Sequence, residues 1–199
     1  MIEIHGLKKR LGSKQVLDGV DLDVRRGETM VVMGRSGTGK SVLLKHIIGL
    51  MTPDAGTIEV DDQDVARLPE RDLNEVRRHF GMLFQGAALF DSLTVGENVA
   101  LPLREHTDLP DETIEIIVKI KLEQVGLREH ADKMPSELSG GMKKRAGLAR
   151  AMALDPKVLF YDEPSAGLDP VTSAEIDQVS CTDEPASMWR EVRSTGETC

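Results

Sequence analysis

Eight residues constrain this chain more than any others: Gly34-Arg35-Ser36-Gly37-Thr38-Gly39-Lys40-Ser41. They lie between the apolar run Met30-Val31-Val32-Met33 and the helix-like stretch Val42-Leu43-Leu44-Lys45-His46-Ile47-Ile48. The pattern G-x-x-x-x-G-K-[ST] between a strand and a helix is a phosphate-binding P-loop. Glycines let the backbone turn tightly and aim successive N–H groups at one anion, at the positive end of a helix starting near Lys40. Lys40 supplies a charge to the β- and γ-phosphates, and the Ser41 hydroxyl suits the magnesium that travels with them. A plain Gly-rich loop would carry neither the Lys-Ser pair nor the flanking strand and helix.

With 199 residues and 40% hydrophobic content, the chain can bury one substantial core, expected as a single domain. A net charge of -9 argues against a nucleic-acid partner, because phosphate backbones are bound by basic surfaces. Lys8-Lys9-Arg10 and Lys143-Lys144-Arg145 are short basic clusters that read as solvated faces. No apolar run reaches the roughly 20 residues that span a bilayer, and the first residues lack a signal-peptide pattern. The expectation is a soluble, cytosolic chain that acts on a membrane only through a partner. Cys181 and Cys199 have no metal spacing, and the five histidines are scattered.

Along the chain, Ile2 and Ile4, and then Val20, Leu22 and Val24, alternate with polar residues as in half-buried antiparallel strands. Residues 30–33 are continuously apolar, which predicts a strand buried on both faces. Turn chemistry at 52–56 precedes a strand over 57–60, a short helix over 69–78 and a strand over 81–84. Thr94-Val95-Gly96-Glu97 reads as a capping box opening a helix that Pro102 is expected to close. Ile114, Ile117, Val118, Leu122 and Val125 form one apolar helical face, with Gly126 as its stop. Ser139-Gly140-Gly141 opens another helix, either as an anion site of backbone N–H groups or as a simple N-cap at Ser139. Asp155-Pro156 breaks it, and Val158-Leu159-Phe160-Tyr161 is a strand ending in Asp162-Glu163. An acid pair there suits a nucleotide hydrolase, one carboxylate holding magnesium and the next polarising water. Asp169-Pro170 reads as the cap and first residue of a further helix.

In this order the motifs resemble the nucleotide-binding subunits of ABC transporters, over about residues 1–179. Residues 34–41 look like Walker A, Gln85 like the Q-loop glutamine, Leu138-Ser139-Gly140-Gly141-Met142 like the signature, 158–163 like Walker B and Gly167-Leu168-Asp169 like the D-loop. The resemblance implies an α/β P-loop NTPase fold: a RecA-like core with an antiparallel β-layer (1–85 and 155–179) and an α-helical signature subdomain (86–154). It also implies a head-to-tail homodimer sandwiching two Mg-ATP. Gly34, Arg35, Ser36, Gly37, Thr38, Gly39, Lys40 and Ser41 of one copy would then face Ser139, Gly140 and Gly141 of the other. Glu163 would be the general base. Ser41, Gln85 and Asp162 would surround Mg2+, Gln85 would also sense the γ-phosphate, and Asp169 would couple the two sites.

Met142 in place of the commoner glutamine, together with Leu83-Phe84-Gln85-Gly86-Ala87-Ala88-Leu89-Phe90 and 100–106, resembles the Mla-type (toluene-tolerance, Mce-type) phospholipid-transport ATPases. Such ATPases sit on the cytoplasmic face of the inner membrane with an integral-membrane permease, MlaE-like, and an MCE lipid-binding protein. An importer of another substrate stays open, as do a nucleotide-binding form deficient in hydrolysis and a soluble ABC ATPase acting on nucleic acid. Two departures stand out. Leu11 occupies the place where many relatives stack an aromatic residue on adenine, so looser base selectivity is expected. After Val179 the apolar periodicity is lost, and residues 180–199 read as an altered or truncated tail. Relatives continue into another core strand and a switch histidine, whereas no histidine follows His130. The expectation is lowered stability and weak or absent turnover by this chain.

Overall fold

The computed structural model describes residues 2–162, apart from Ser36 and Gln85. The readings placed on Gln85, Glu163, Asp169 and the tail lie outside the described residues, as does Ser36 of the P-loop. The described chain forms two compact units, divided between Arg77 and Arg78.

In the first unit, β1 (Ile2–Leu11) and β2 (Lys14–Val24) form an antiparallel hairpin. With β3 (Ala55–Val60) and β4 (Gln63–Asp64) they complete a sheet of order β2-β1-β3-β4. Alternation sets which face is dry. Ile4 stands opposite Leu22 on one side and Ile58 on the other, and all three are buried. Each such side chain contributes roughly 1.5–3 kcal/mol relative to exposure. The basic cluster on β1 has local partners: Lys8 pairs with Asp18 at 3.3 Å, and Lys9 donates to Asp54 at 2.9 Å and to the Thr52 carbonyl at 2.7 Å.

Two helices follow in this unit, α1 (Lys40–Ile47) and α2 (Glu70–Arg78). Arg77 reaches from α2 to the carbonyls of Ile48 and Gly49, at 3.2 and 2.9 Å, satisfying acceptors that the end of α1 leaves open. The run 30–33 departs from expectation. Only Val31 makes a bridge, Met30, Val31 and Val32 are half-buried, and Met33 is 59% exposed. An apolar run becomes a doubly buried strand only when ladders flank both its edges. Among the described residues no ladder does so here.

In the second unit, β5 (Phe80–Leu83) and β6 (Val158–Tyr161) pair in parallel, Leu83 opposite Tyr161. Phe80 and Phe160 meet edge to face at 5.3 Å between ring centres. Around them lie α3 (Val95–His106), α4 (Asp111–Gln124) and α5 (Gly140–Ala151). Their shared core includes Val99, Leu103, Ile114, Leu122 and Leu148.

The helix ends follow the chemistry read from the sequence. Thr94 accepts the Glu97 N–H at 3.2 Å and Glu97 accepts the Thr94 N–H at 2.7 Å, a full capping box. Gly126, at φ 66°, ends α4, with N–H bonds from Gly126 to the Glu123 carbonyl and from Leu127 to the Leu122 carbonyl. Pro102 does not close α3, which continues through it to His106. Buried Val99 and Ala100 on one side and Leu103 on the other anchor both halves, outweighing one missing N–H bond. The helix stops instead at Thr107, whose backbone and hydroxyl both donate to the Leu103 carbonyl.

Candidate nucleotide-binding site

The P-loop belongs to the first unit, and its shape rests on glycines with specific duties. A Cβ on Gly34 would lie 2.6 Å from the Thr38 Oγ1, whose hydroxyl donates to the Arg35 carbonyl at 2.8 Å. A side chain at Gly34 would push the Thr38 hydroxyl off that bond. Gly39, the N-cap of α1, has φ 105°, and a Cβ there would press on Val16 and Leu17 at 3.0 and 3.1 Å. At Gly37, by contrast, an added Cβ would meet nothing within 4 Å among the described residues, and it is the backbone, at φ 77°, that calls for glycine.

Lys40 begins α1, and its Nζ donates to the carbonyls of Gly34 at 2.8 Å and Arg35 at 3.3 Å. The ammonium is thus held against the loop that it would share with phosphates. Ser41 follows in the first turn, which contains no acid, so no carboxylate there offsets the positive helix end. Leu11 sits at the β1–β2 turn, 43% exposed and paired in register with Lys14. Lys14 Nζ donates to the Gly37 carbonyl at 3.3 Å, bringing a second cation to the loop. Sequence reading passed over Lys14, because it belongs to no motif and is brought there by the hairpin.

The second unit holds the remaining described candidates. Ser139 is the N-cap of α5 and accepts the Met142 N–H at 3.3 Å, so the simple capping role exists. Capping does not account for Gly140. That residue is exposed, its φ is not positive, and a Cβ would meet nothing within 4 Å among the described residues. Neither fold nor packing requires glycine there, whereas close approach of a ligand to the backbone would. Asp162 stands at the carboxyl end of β6, and its N–H donates to the Leu83 carbonyl at 3.0 Å. This acid is thereby fixed beside the strand end that leads, through Phe84, to Gln85. Among the described residues no cluster of three His, Cys, Asp or Glu side chains could hold a metal ion. The donor set read from the sequence, a serine hydroxyl and a carboxylate, is of the hard oxygen kind that suits Mg2+ with retained waters and phosphate oxygens.

An α/β fold carrying a glycine-shaped G-x-x-x-x-G-K-S loop at the start of a helix defines a P-loop NTPase. The chain belongs to the ABC transporter family, whose model matches residues 17–166. It is 49% identical over 178 residues to a probable ribonucleotide transport ATP-binding protein, mkl, of Mycobacterium leprae, covering 89% of this chain and 51% of that one. It is also 49% identical over 176 residues to the intermembrane phospholipid transport system ATP-binding protein MlaF of Haemophilus influenzae, covering 88% of this chain and 67% of that one. The chain therefore spans about half the length of the mycobacterial relative and two thirds of MlaF. Among solved structures it resembles a dimeric ATP-binding cassette in a post-hydrolysis state bound to ADP and Pi, with TM-score 0.83 and 31% identity over 90% of this chain and 81% of that one. A second likeness is to cbiO1 from Clostridium perfringens, part of the ABC transporter complex cbiONQ, with TM-score 0.81 and 30% identity, covering 90% of this chain and 71% of that one. Membership of the family implies nucleotide binding. Among the described residues no helix is long and apolar enough to cross a membrane.

Proposed function

We propose that this chain is the ATP-binding subunit of an Mla-type ABC transporter, binding and hydrolysing Mg-ATP as a head-to-tail homodimer to drive phospholipid transport. The observation that carries the reading is the pairing of a glycine-shaped P-loop with a second, unforced glycine at the start of α5. Each is an anion site of backbone N–H groups at a helix start, and a γ-phosphate shared between two copies would use both. Lys40 would exchange its loop carbonyls for the β- and γ-phosphates. Ser139, Gly140 and Gly141 of a second copy would close over the same phosphate. Ser41, Asp162 and Gln85 would hold Mg2+, which when bound neutralises charge on the phosphate oxygens. Glu163 would take the proton of the attacking water.

On this reading residues 1–179 form the ATPase domain, with 86–154 as its signature subdomain. The chain would work on the cytoplasmic face of the inner membrane, beside an MlaE-like permease and an MCE lipid-binding protein. Two relatives of equal identity carry different cargo names, ribonucleotide and phospholipid. The phospholipid reading rests on Met142 and the 83–90 and 100–106 segments, and an importer of another substrate is the second reading.

The test is Mg-ATP binding and turnover by the purified chain, beside Lys40→Ala, Glu163→Gln and a magnesium-free control. Binding that needs Lys40 and magnesium, with slow turnover that Glu163→Gln abolishes, is the expected result. Binding without turnover would leave a nucleotide-binding module, and no binding would overturn the proposal. Reconstitution with the permease in phospholipid vesicles, scored by labelled-lipid transfer against ribonucleotide uptake, decides the cargo.

A further inference from the structure

The segment that leaves Gln85 has an unusual backbone. Ala87 and Ala88 both have positive φ, 61° and 49°, a conformation disfavoured for residues with a Cβ. Such a turn persists only where surrounding contacts over-determine it. Here the contacts come from α5. Arg150 donates to the Ala88 carbonyl at 2.7 Å and to the Ala87 carbonyl at 2.9 Å, across more than 60 residues of sequence. One turn earlier on the same helix, Gly147 leaves room for Ala87, for a Cβ there would lie 3.1 Å from its carbonyl oxygen. Ala87 is buried, and its own N–H donates to the Phe84 carbonyl at 2.9 Å.

The far end of the segment is held separately. Asn98 is fully buried; its Oδ1 accepts the Phe90 N–H at 2.8 Å, and its Nδ2 donates to the carbonyls of Phe90, Leu93 and Thr94. The helix that grips the near end starts at Ser139-Gly140-Gly141, about 15 Å away along its axis at 1.5 Å per residue. We infer that Arg150 is a positioning residue: its guanidinium fastens the Ala87–Ala88 turn to α5, so that the segment next to Gln85 and the start of the signature helix respond to nucleotide as one piece. The nucleotide part of this inference rests on the function proposed above; the fastening itself does not. A planar fork reaching two carbonyls is a task for arginine that lysine fulfils less well.

The test uses amide hydrogen exchange on the full chain and its Arg150→Met and Arg150→Lys variants. Without nucleotide, Arg150→Met is expected to speed exchange at Ala87 about 10-fold or more, the scale of a lost charge-assisted bond pair. Phe90, held by Asn98, and the amides of α4 keep their wild-type protection, and Arg150→Lys recovers part of the loss. Unchanged protection at Ala87, or equal loosening of Ala87 and α4, overturns the inference, the second outcome meaning that Arg150 only stabilises the unit. With Mg-ATP added, the wild type changes protection at 37–41, and at 87–93 and 140–143 together. In Arg150→Met 37–41 still responds but 87–93 and 140–143 no longer change together, and a variant in which they still do also overturns the inference. A wild type with no response at 37–41 refutes the nucleotide reading instead, and the nucleotide-free comparison then decides the fastening.

Discussion

Gly147→Ala sets two effects of known size against each other. Gly147 lies inside α5, where alanine is the better helix former by about 1 kcal/mol. On an exposed helix face the substitution would stabilise. Here the new Cβ would lie 3.0 Å from Leu83 Cδ1, 3.1 Å from the Ala87 carbonyl oxygen and 3.2 Å from the Ala87 Cβ. Leu83 and Ala87 are each 1% exposed, so neither has an open side toward which to yield. Ala87 is further held by Arg150 through that same carbonyl. Overpacking a closed site costs about 1–3 kcal/mol, so with about 2 lost and about 1 gained the variant is less stable by about 1 kcal/mol. With a urea slope of about 2 kcal/mol per molar, the midpoint followed by far-ultraviolet circular dichroism falls by about 0.5 M. A midpoint that holds or rises with an unchanged slope would show that the α5–Ala87 contact is loose, and would refute the packing argument.

Other expectations follow from the same contacts. Lys40→Ala removes a charge-assisted partner of the phosphates and should weaken Mg-ATP binding by about 2–3 kcal/mol, roughly 30- to 150-fold, in equilibrium titration. Equal affinities would sink the assignment of Lys40. Gly81→Ala places a Cβ within 3.0 Å of the Ala151 backbone, Leu159 and Pro156 around β5. A cost of about 3 kcal/mol follows, visible as a larger loss of urea midpoint than Gly147→Ala produces; a wild-type midpoint would contradict it. In the capping box, bonds from the Thr94 N–H and Thr94 side chain hold the Glu97 carboxyl below its ordinary value of 4.5. A depressed folded pKa adds stability that is full above the unfolded value and is lost as pH falls through the folded one. The melting-temperature advantage of wild type over Glu97→Gln should therefore be level near pH 6 and shrink below about pH 4.5. An advantage unchanged down to about pH 3.5 would separate Glu97's contribution from its charge.

The features read correctly from the sequence share one property: their partners lie within a few residues. Thr94 and Glu97 close a box three apart, Gly126 takes the left-handed turn that ends α4, and Ser139 caps the helix it precedes. The strands β1, β2 and β3 follow from alternation, because burial on one face is already written in a period of two. The start of α1 at Lys40 follows from the loop, since glycines and a helix start are part of one motif.

What the tertiary structure decided depends on residues far apart in sequence. Pro102 should stop a helix by local rules, yet buried neighbours on both sides carry α3 through it. The run 30–33 has the composition of a buried strand, but composition cannot supply ladders on both edges. Lys14 reaches Gly37, Asn98 gathers four backbone groups, and Arg150 crosses to Ala87 and Ala88. None of these leaves a periodic or spacing signal, because a hydrogen bond between distant segments exists only once packing has brought them together. The sequence alone determined the phosphate loop, the helix caps and the strand faces; packing determined which side chains hold those local pieces in place.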